Sequence, residues 1–345
     1  MTDGAATTRP RGRVTLAAVA RLAGVAESTA SRVINGYTEN FRVRPEVRQR
    51  VLDAAAELRY RPNPMVRSIS AKKTNLVAVV GWASDGVNRT ALGEAVRVCQ
   101  SGGKHVCTTF LKPDNRGHEL PSWRVDGAIA FQVRQEEDVA EIEHARLPYV
   151  SVNGQAGPGG DSVTFHEANG MERAVGHLAE LGHTKIAYLY LEQERVNPRG
   201  LPHGSVGARR EAYAESMRSR GLAPMAGWDA WDVPYREYVQ RTVMGDGATA
   251  VVAYDDVMAL YLIQSASDLG LRVPDDLSIV TFNDELPARM ATPPLTTVAL
   301  PAAAAGEKAG ELLLERLASE EPIPHRHVVL EEELVVRRST RPPKA

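Results

Sequence analysis

At 345 residues, with 43% hydrophobic and 24% charged side chains, the chain is too long for one ordinary core and is expected to form two or three packed units. No apolar run approaches the roughly 18 residues of a membrane-spanning helix, and the first residues carry no apolar signal core, so a cytoplasmic protein is expected. Charge is uneven: residues 1–75 hold 14 Lys/Arg against 6 Asp/Glu, a net +8, which leaves −10 to the remainder, the footprint of a nucleic-acid-binding head on an acidic regulatory body.

Residues 1–13 are polar and aperiodic and read as a disordered arm, in which Arg9, Arg11 and Arg13 are available for phosphate contacts. Val14 to Asn35 reads as two short helices. Thr15 is placed to cap the first, and Leu16, Val19, Ala20 and Ala23 share one of its faces. Gly24 allows a left-handed turn. The second helix, Glu27–Asn35, sets Ser28, Thr29, Ser31, Arg32 and Asn35 opposite Ala30, Val33 and Ile34. This is the helix-turn-helix pattern, whose second helix can enter a major groove; an ordinary helical hairpin is the other reading of the spacing. A third helix, about Pro45 to Leu58, begins on a first-turn proline and closes the core with Val47, Val51, Ala54, Ala55 and Leu58.

Short polar side chains at Thr15, Thr29, Ser31 and Asn35 suit phosphate oxygens. Glu27, Ser28 and Arg32 are the residues able to reach base edges, with Arg32 suited to guanine and Glu27 to the cytosine amino group. Residues 61–75 form a linker in which Asn63-Pro64 announces a short helix over about 64–70, too short to be stable alone.

From Leu76 onward strands alternate with helices. Apolar runs at 76–81, 105–111, 127–131, 148–152, 162–165, 185–191, 249–253 and 277–282 read as strands, with helices clearest at 167–181, 207–220, 256–269 and 302–318. Near-continuous apolar strands between helices imply two doubly wound parallel sheets. The segment between the second and third strands holds two prolines in about fifteen residues, so a helix there is shortened or lost.

The wording of the motifs adds a family. VTLAAVARLAGVAESTASRVING, ERAVGHLAELGHTKIAYLYL, GLRVPDDLSIVTFND, TPPLTTVALP and EELVVRRST resemble the lactose-repressor (LacI/GalR) family of bacterial regulators over nearly all of residues 13–340. The resemblance implies an all-α helix-turn-helix head (14–60), a hinge linker (61–75), and a periplasmic-binding-protein-like core (76–340) ending in a tail (341–345). The core would have an N-subdomain of about 76–163 and 299–323 and a C-subdomain of about 164–298 and 324–340. The chain would cross between them near 162–166, 296–301 and 321–328.

The same resemblance implies a DNA-facing set of Thr15, Leu16, Glu27, Ser28, Thr29, Ser31, Arg32 and Asn35. Val66, Ser68 and Ile69 would lie in a hinge helix that orders against its dimer mate, with Ile69 as the minor-groove wedge. It implies a cleft holding a small effector near Phe165, Arg209, Asp255, Asn283, Trp228, Trp231 and Trp82, although each tryptophan also fits a packing role. Asp255 and Asn283 stand where the family usually has Asn and Asp. Ala26 replaces the usual capping Ser and Glu27 is unusual, so the operator is not carried over.

The reading is a homodimeric repressor of a palindromic DNA operator, released by a small molecule, a sugar being the leading class; purine-like corepression is the alternative. A sugar-transport protein would need export and no basic head. No credible acid/base pair or metal spacing supports an enzyme, and neither cofactor nor metal is expected. Cys99 and Cys107 read as small buried hydrophobes. The terminal RRSTRPPKA has no leucine heptad, so a dimer without a tetramerising tail is expected.

Overall fold

The computed structural model describes residues 14–35, 43–60, 73–81, 86–108, 120–121, 124–190, 203–225, 228–229 and 234–344. It divides into two compact units after Thr74. The arm, the hinge helix with Val66, Ser68 and Ile69, and Trp82 and Trp231 lie outside the described residues. So does most of the proline-bearing segment after the second strand.

The head contains helices α1 (Leu16–Ala23), α2 (Glu27–Asn35) and α3 (Pro45–Glu57). Thr15 Oγ1 accepts the Ala18 amide at 3.3 Å and starts α1. Gly24 ends it in the left-handed region at φ +64°, where a Cβ would be strained. Val19, Ala20 and Ala23 meet Ala30 and Val33 of α2 and Val51 and Ala54 of α3 in one small core. The small alanines let the three helices approach closely. Val47, expected in that core, is only half-buried.

The second unit is built on two six-stranded sheets. Its first lobe contains β1 (Leu76–Gly81), α4 (Gly86–Ser101), β2 (His105–Thr108), β3 (Gly127–Phe131), α5 (Ala140–His144), β4 (Tyr149–Val152) and β5 (Asp161–Phe165). The second lobe follows with α6 (Glu167–Glu180), β6 (Ile186–Tyr190), α7 (Gly204–Ser219), β7 (Trp228–Asp229), α8 (Tyr235–Tyr238), β8 (Ala250–Ala253), α9 (Asp256–Asp268), β9 (Ser278–Asn283), α10 (Leu286–Met290) and β10 (Thr296–Ala299). The chain then returns to the first lobe as α11 (Ala302–Ala318) and β11 (His327–Leu330), and ends on the second as β12 (Glu333–Val335). The strand orders are β11-β5-β4-β3-β1-β2 and β12-β10-β9-β8-β6-β7.

Every strand pair is parallel except β10–β12, which is antiparallel, a departure from the all-parallel expectation. β11 and β12 belong to different sheets with only residues 331 and 332 between them, so the chain enters the second sheet at the carboxyl ends of its strands, Glu333 opposite Ala299, and β12 runs against β10. The third crossing also moves. β11 pairs with β5, Leu330 opposite Phe165, so the chain leaves the first lobe between Leu330 and Glu333, not near 321–328, and residues 324–330 stay with the first lobe. A run of His-Val-Val-Leu is short and half-buried, which is why it does not stand out as a strand.

One face of the first sheet packs against α4 and α11 through Val77, Val79, Ile129, Val150, Val152 and Val163. The other face packs Ala78, Val80, Ala128 and Ala130 against Val139, Ile142 and Tyr149. In the second lobe, Met171, Ala174, Val175 and Leu178 of α6 and Tyr213 and Met217 of α7 cover one face. Residues of α8 and α9 cover the other. Both sheets are therefore buried on both faces, which leaves the carboxyl ends of the strands open, where ligands of open α/β sheets bind.

Candidate functional site

The head presents α2 as its polar element. Glu27 and Ser28 are exposed, and Thr29, Ser31, Arg32 and Asn35 are half-exposed. Asn35 Nδ2 donates to Ser31 Oγ at 3.1 Å across one helical turn, which holds two of the candidate DNA-facing groups together. Thr15 is partly committed as the cap of α1, and Leu16 leans on the head core. At Ala26 only the backbone carbonyl serves α2, accepting from the Thr29 and Ala30 amides.

In the core, three candidate effector residues lie on neighbouring elements. Arg209 lies on α7 with its guanidinium 4.0 Å from the centre of the Phe282 ring and 4.8 Å from that of Tyr254. Its Nη1 donates to Tyr254 O at 2.8 Å. Asn283 follows Phe282 and Asp255 follows Tyr254 in the chain, so Arg209 packs against the residues that precede Asp255 and Asn283 at the carboxyl ends of the neighbouring strands β8 and β9. Asn283 and Asp284 take φ +92° and +58°, a conformation that Asn and Asp tolerate better than most residues. Asp255 also serves the fold, because its Oδ1 accepts the Met258 amide at 2.8 Å and caps α9. Phe165 is 6% exposed and belongs to the first-lobe core, so it supports the crossing more than it lines an open wall. The backbone of Trp228 forms β7 beside β6.

Arg209 itself is only 2% exposed. Its Nε donates to Glu167 Oε2 at 2.5 Å, and the buried Glu332 carboxyl lies close enough to act on it as well. Glu167 opens α6 just after the first crossing, and Glu332 lies in the third. His166 Nδ1 and Glu331 Oε1, 2.9 Å apart, tie the same two crossings side by side. Burial, then the Glu167 charge, pushes the Glu332 carboxyl up to about 8, against the pull of Arg209. Asp256 is likewise pushed up to about 8 by burial, reinforced by Asp255, Glu285 and Asp284, although it accepts the Glu285 amide at 2.6 Å. Glu332 at the third crossing and Asp256 at the start of α9 are thus both held toward the protonated form.

Further polar residues are joined where the two lobes come together, without having been singled out as ligands from the sequence: Asn153, His203, Ser205 and Tyr254. Asn153 ends β4 at φ +52°; His203 caps α7; Ser205 Oγ and Tyr254 OH lie 2.7 Å apart. Asn88 is 1% exposed and accepts from Asn153 Nδ2 at 3.3 Å. An Asn directly after a strand, and a His just before a helix, were the available signals.

Known proteins resemble this chain in sequence and fold. Residues 15–63 match bacterial regulatory proteins of the lacI family, and residues 175–340 match the periplasmic binding protein-like domain. The HTH-type transcriptional repressor PurR of Mannheimia succiniciproducens is 31% identical over 341 residues, covering 95% of this chain and 98% of that protein. The chain belongs to the lacI family of bacterial regulatory proteins. The regulator CelR of Thermobifida fusca is 30% identical over 95% of this chain and 99% of its own length. A Lac repressor dimer bound to operator and the anti-inducer ONPF shares the fold, with a TM-score of 0.78, 23% identity, and coverage of 96% of this chain and all of that one. A CelR–cellobiose complex matches at a TM-score of 0.64 and 26% identity, over 95% of this chain and all of that one.

This lacI-family chain is thus a transcriptional regulator with a DNA-binding helix-turn-helix head and a ligand-binding core. Among the described residues no helix is long and apolar enough to cross a membrane.

Proposed function

We propose that this lacI-family regulator is a homodimeric repressor of a near-palindromic operator, and that a small polar molecule in the inter-lobe cleft, a sugar foremost, releases it from DNA. The observation that carries the ligand half is the placement of Arg209 against the strand ends of the second lobe that lead into Asp255 and Asn283. Amide, acid and guanidinium groups on an aromatic floor suit vicinal hydroxyls. The cellobiose bound by CelR supports a sugar. The effector can act only through different affinities for the DNA-competent and released arrangements. The corepressor reading keeps the same site with the opposite sign.

The test is a selection of bound DNA from a random library with the full chain, followed by titration of a sugar and purine panel into the labelled complex. Release by a sugar supports the proposal; tightening by any panel member replaces induction with corepression. Arg32→Ala is expected to weaken the selected site by about 10- to 100-fold and to relax preference at one base pair, as for a lost bidentate base contact of about 1–3 kcal/mol. A uniform loss across all sequences would instead place Arg32 on a phosphate.

The dimer reading has a surface to stand on. Val257 and Tyr261 of α9 and Leu286 and Met290 of α10 are all more than half exposed, Met290 at 72%, and the two helices pack together. A contiguous apolar patch of this kind suits a subunit interface. Leu286→Glu with Met290→Glu is expected to convert dimer to monomer in sedimentation velocity and to abolish operator binding at nanomolar protein. A variant that still sediments as a dimer would move the interface elsewhere.

A further inference from the structure

Among the described residues, His203 and Glu285 each make a contact from the second lobe to the first. The first is made by His203, whose Nε2 lies 2.7 Å from the Asn153 carbonyl of the first lobe. A carbonyl only accepts, so Nε2 carries the hydrogen. In the neutral ring Nδ1 is then the bare acceptor, and it receives the Ser205 amide at 3.3 Å and the Ser205 hydroxyl at 2.7 Å. Ser205 Oγ, its own hydrogen spent on the ring, accepts from Tyr254 OH. The Tyr254 carbonyl in turn receives Arg209, and Asn153 Nδ2 reaches Asn88. One polar chain therefore runs from Asn88 and Asn153 on the first lobe to His203, Ser205, Tyr254 and Arg209 on the second.

The second contact is Glu285 at the start of α10. A Cβ built on Gly86, the first residue of α4, would overlap the Glu285 carboxylate. Only glycine leaves room for that acid at the α4 terminus, where partial positive charge favours it.

We propose that His203 is a latch that holds the two lobes together, with Glu285 on Gly86 as a second point of closure. The proposal rests on the reading of the cleft as the effector site. An effector entering between Asn153 and Arg209 has to part this latch or bridge it, so the latch sets how much binding energy moves the lobes. Only the neutral ring can serve. A proton on Nδ1 would face the Ser205 amide donor to donor. Burial lowers the ring's proton affinity; its bond to Asn153 and the Glu167 charge oppose that, and Arg134 and Arg209 add to it.

His203→Asn separates the latch from the helix cap. Asn caps helices well but is too short to span to Asn153. Gly86→Ala displaces only the flexible end of Glu285 and keeps both helices. Hydrogen exchange of the ligand-free full chain, read in peptides covering 149–157 and 203–213, is expected to speed up about fivefold in His203→Asn, the worth of one net hydrogen bond. A smaller gain is expected in Gly86→Ala, and the largest in the pair. Small-angle scattering should show a larger radius of gyration in the same order. Exchange and scattering unchanged from wild type in His203→Asn would overturn the latch. These readings need neither operator nor effector, so failure of the panel to bind would remove the proposed function and leave the latch to be decided on its own.

Discussion

Arg209→Ala is expected to lower the unfolding free energy of the full chain by about 3–5 kcal/mol, because it leaves buried charge without its partner. The guanidinium is 2% exposed and sits against Glu167, with Glu332 fully buried beyond it. Removing it leaves the Glu167 carboxylate, 12% exposed, without its cation beside the fully buried Glu332. It also takes away the donor to the Tyr254 carbonyl and the cation over the Phe282 and Tyr254 rings. Arg209→Lys keeps the charge but cannot reproduce the fork, and should recover only part of the loss. Urea unfolding followed by circular dichroism measures both. A loss below about 1 kcal/mol would show that water enters the hinge and that Arg209 serves mainly the ligand. From sequence alone, Arg209→Ala is expected to silence the effector response and spare operator affinity. Its burial adds a stability defect to that expectation, so the response has to be measured below the variant's unfolding temperature.

The same cluster sets a pH dependence. The Glu332 carboxyl titrates near 4.5 in the unfolded chain and is pushed up to about 8 when folded. Between those values the folded state holds the extra proton. Stability from this group is therefore complete below about pH 4.5 and declines as pH rises through 8. Glu332→Gln keeps a neutral amide in place and removes this share of the decline, while Asp256 keeps its own. The variant should be the more stable protein at pH 8.5 and nearly equal to wild type at pH 5.

Much of this was legible in the chain, for a physical reason. Val19, Ala20, Ala30 and Val33 fall at helical spacing around a glycine turn, and a three-helix core has few other ways to form. The strands of the two lobes are apolar on both faces, so β1, β3 and β9 stood out. β11 and β12 did not, because each is short, lies at a sheet edge and carries a charged or half-exposed face. The cleft divided in the same way. Arg209, Asp255 and Asn283 could be placed by their motifs, but the sequence did not reveal that Asp255 also caps α9 or that Arg209 is sealed from solvent. His203 and Asn153 are 50 residues apart and become partners only when the two lobes close. No local pattern encodes such a pair. Nothing local marks Glu332 for burial; it is drawn inside where β11 pairs with β5 and the chain crosses to β12.

Gly306→Val is expected to cost more than about 3 kcal/mol, at or beyond the upper end of overpacking. α4 and α11 cross over the first sheet with almost no side chain between them. A Cβ at Gly306 would collide with the Ala91 carbonyl oxygen, and one at Gly310 would lie 2.7 Å from Val98 Cβ. Ala91 and Ala95 face this seam at 1% and 0% exposure. Backbone cannot yield at Gly306 unless α4 moves as a body. At Gly310 a valine side chain takes the strain, so Gly310→Ala should cost less than Gly306→Ala. Helix propensity returns about 1 kcal/mol in either alanine variant, which is small against a backbone collision. The displacement has a functional reading as well. α4 carries Gly86 and Asn88 at its start, so lifting it from α11 withdraws the first-lobe half of the latch. Gly306→Ala should therefore lower the melting temperature and also speed hydrogen exchange in residues 149–157. Gly310→Ala should do less of both. Equal melting for the two alanine variants would mean that α4 is not seated on the Gly306 seam.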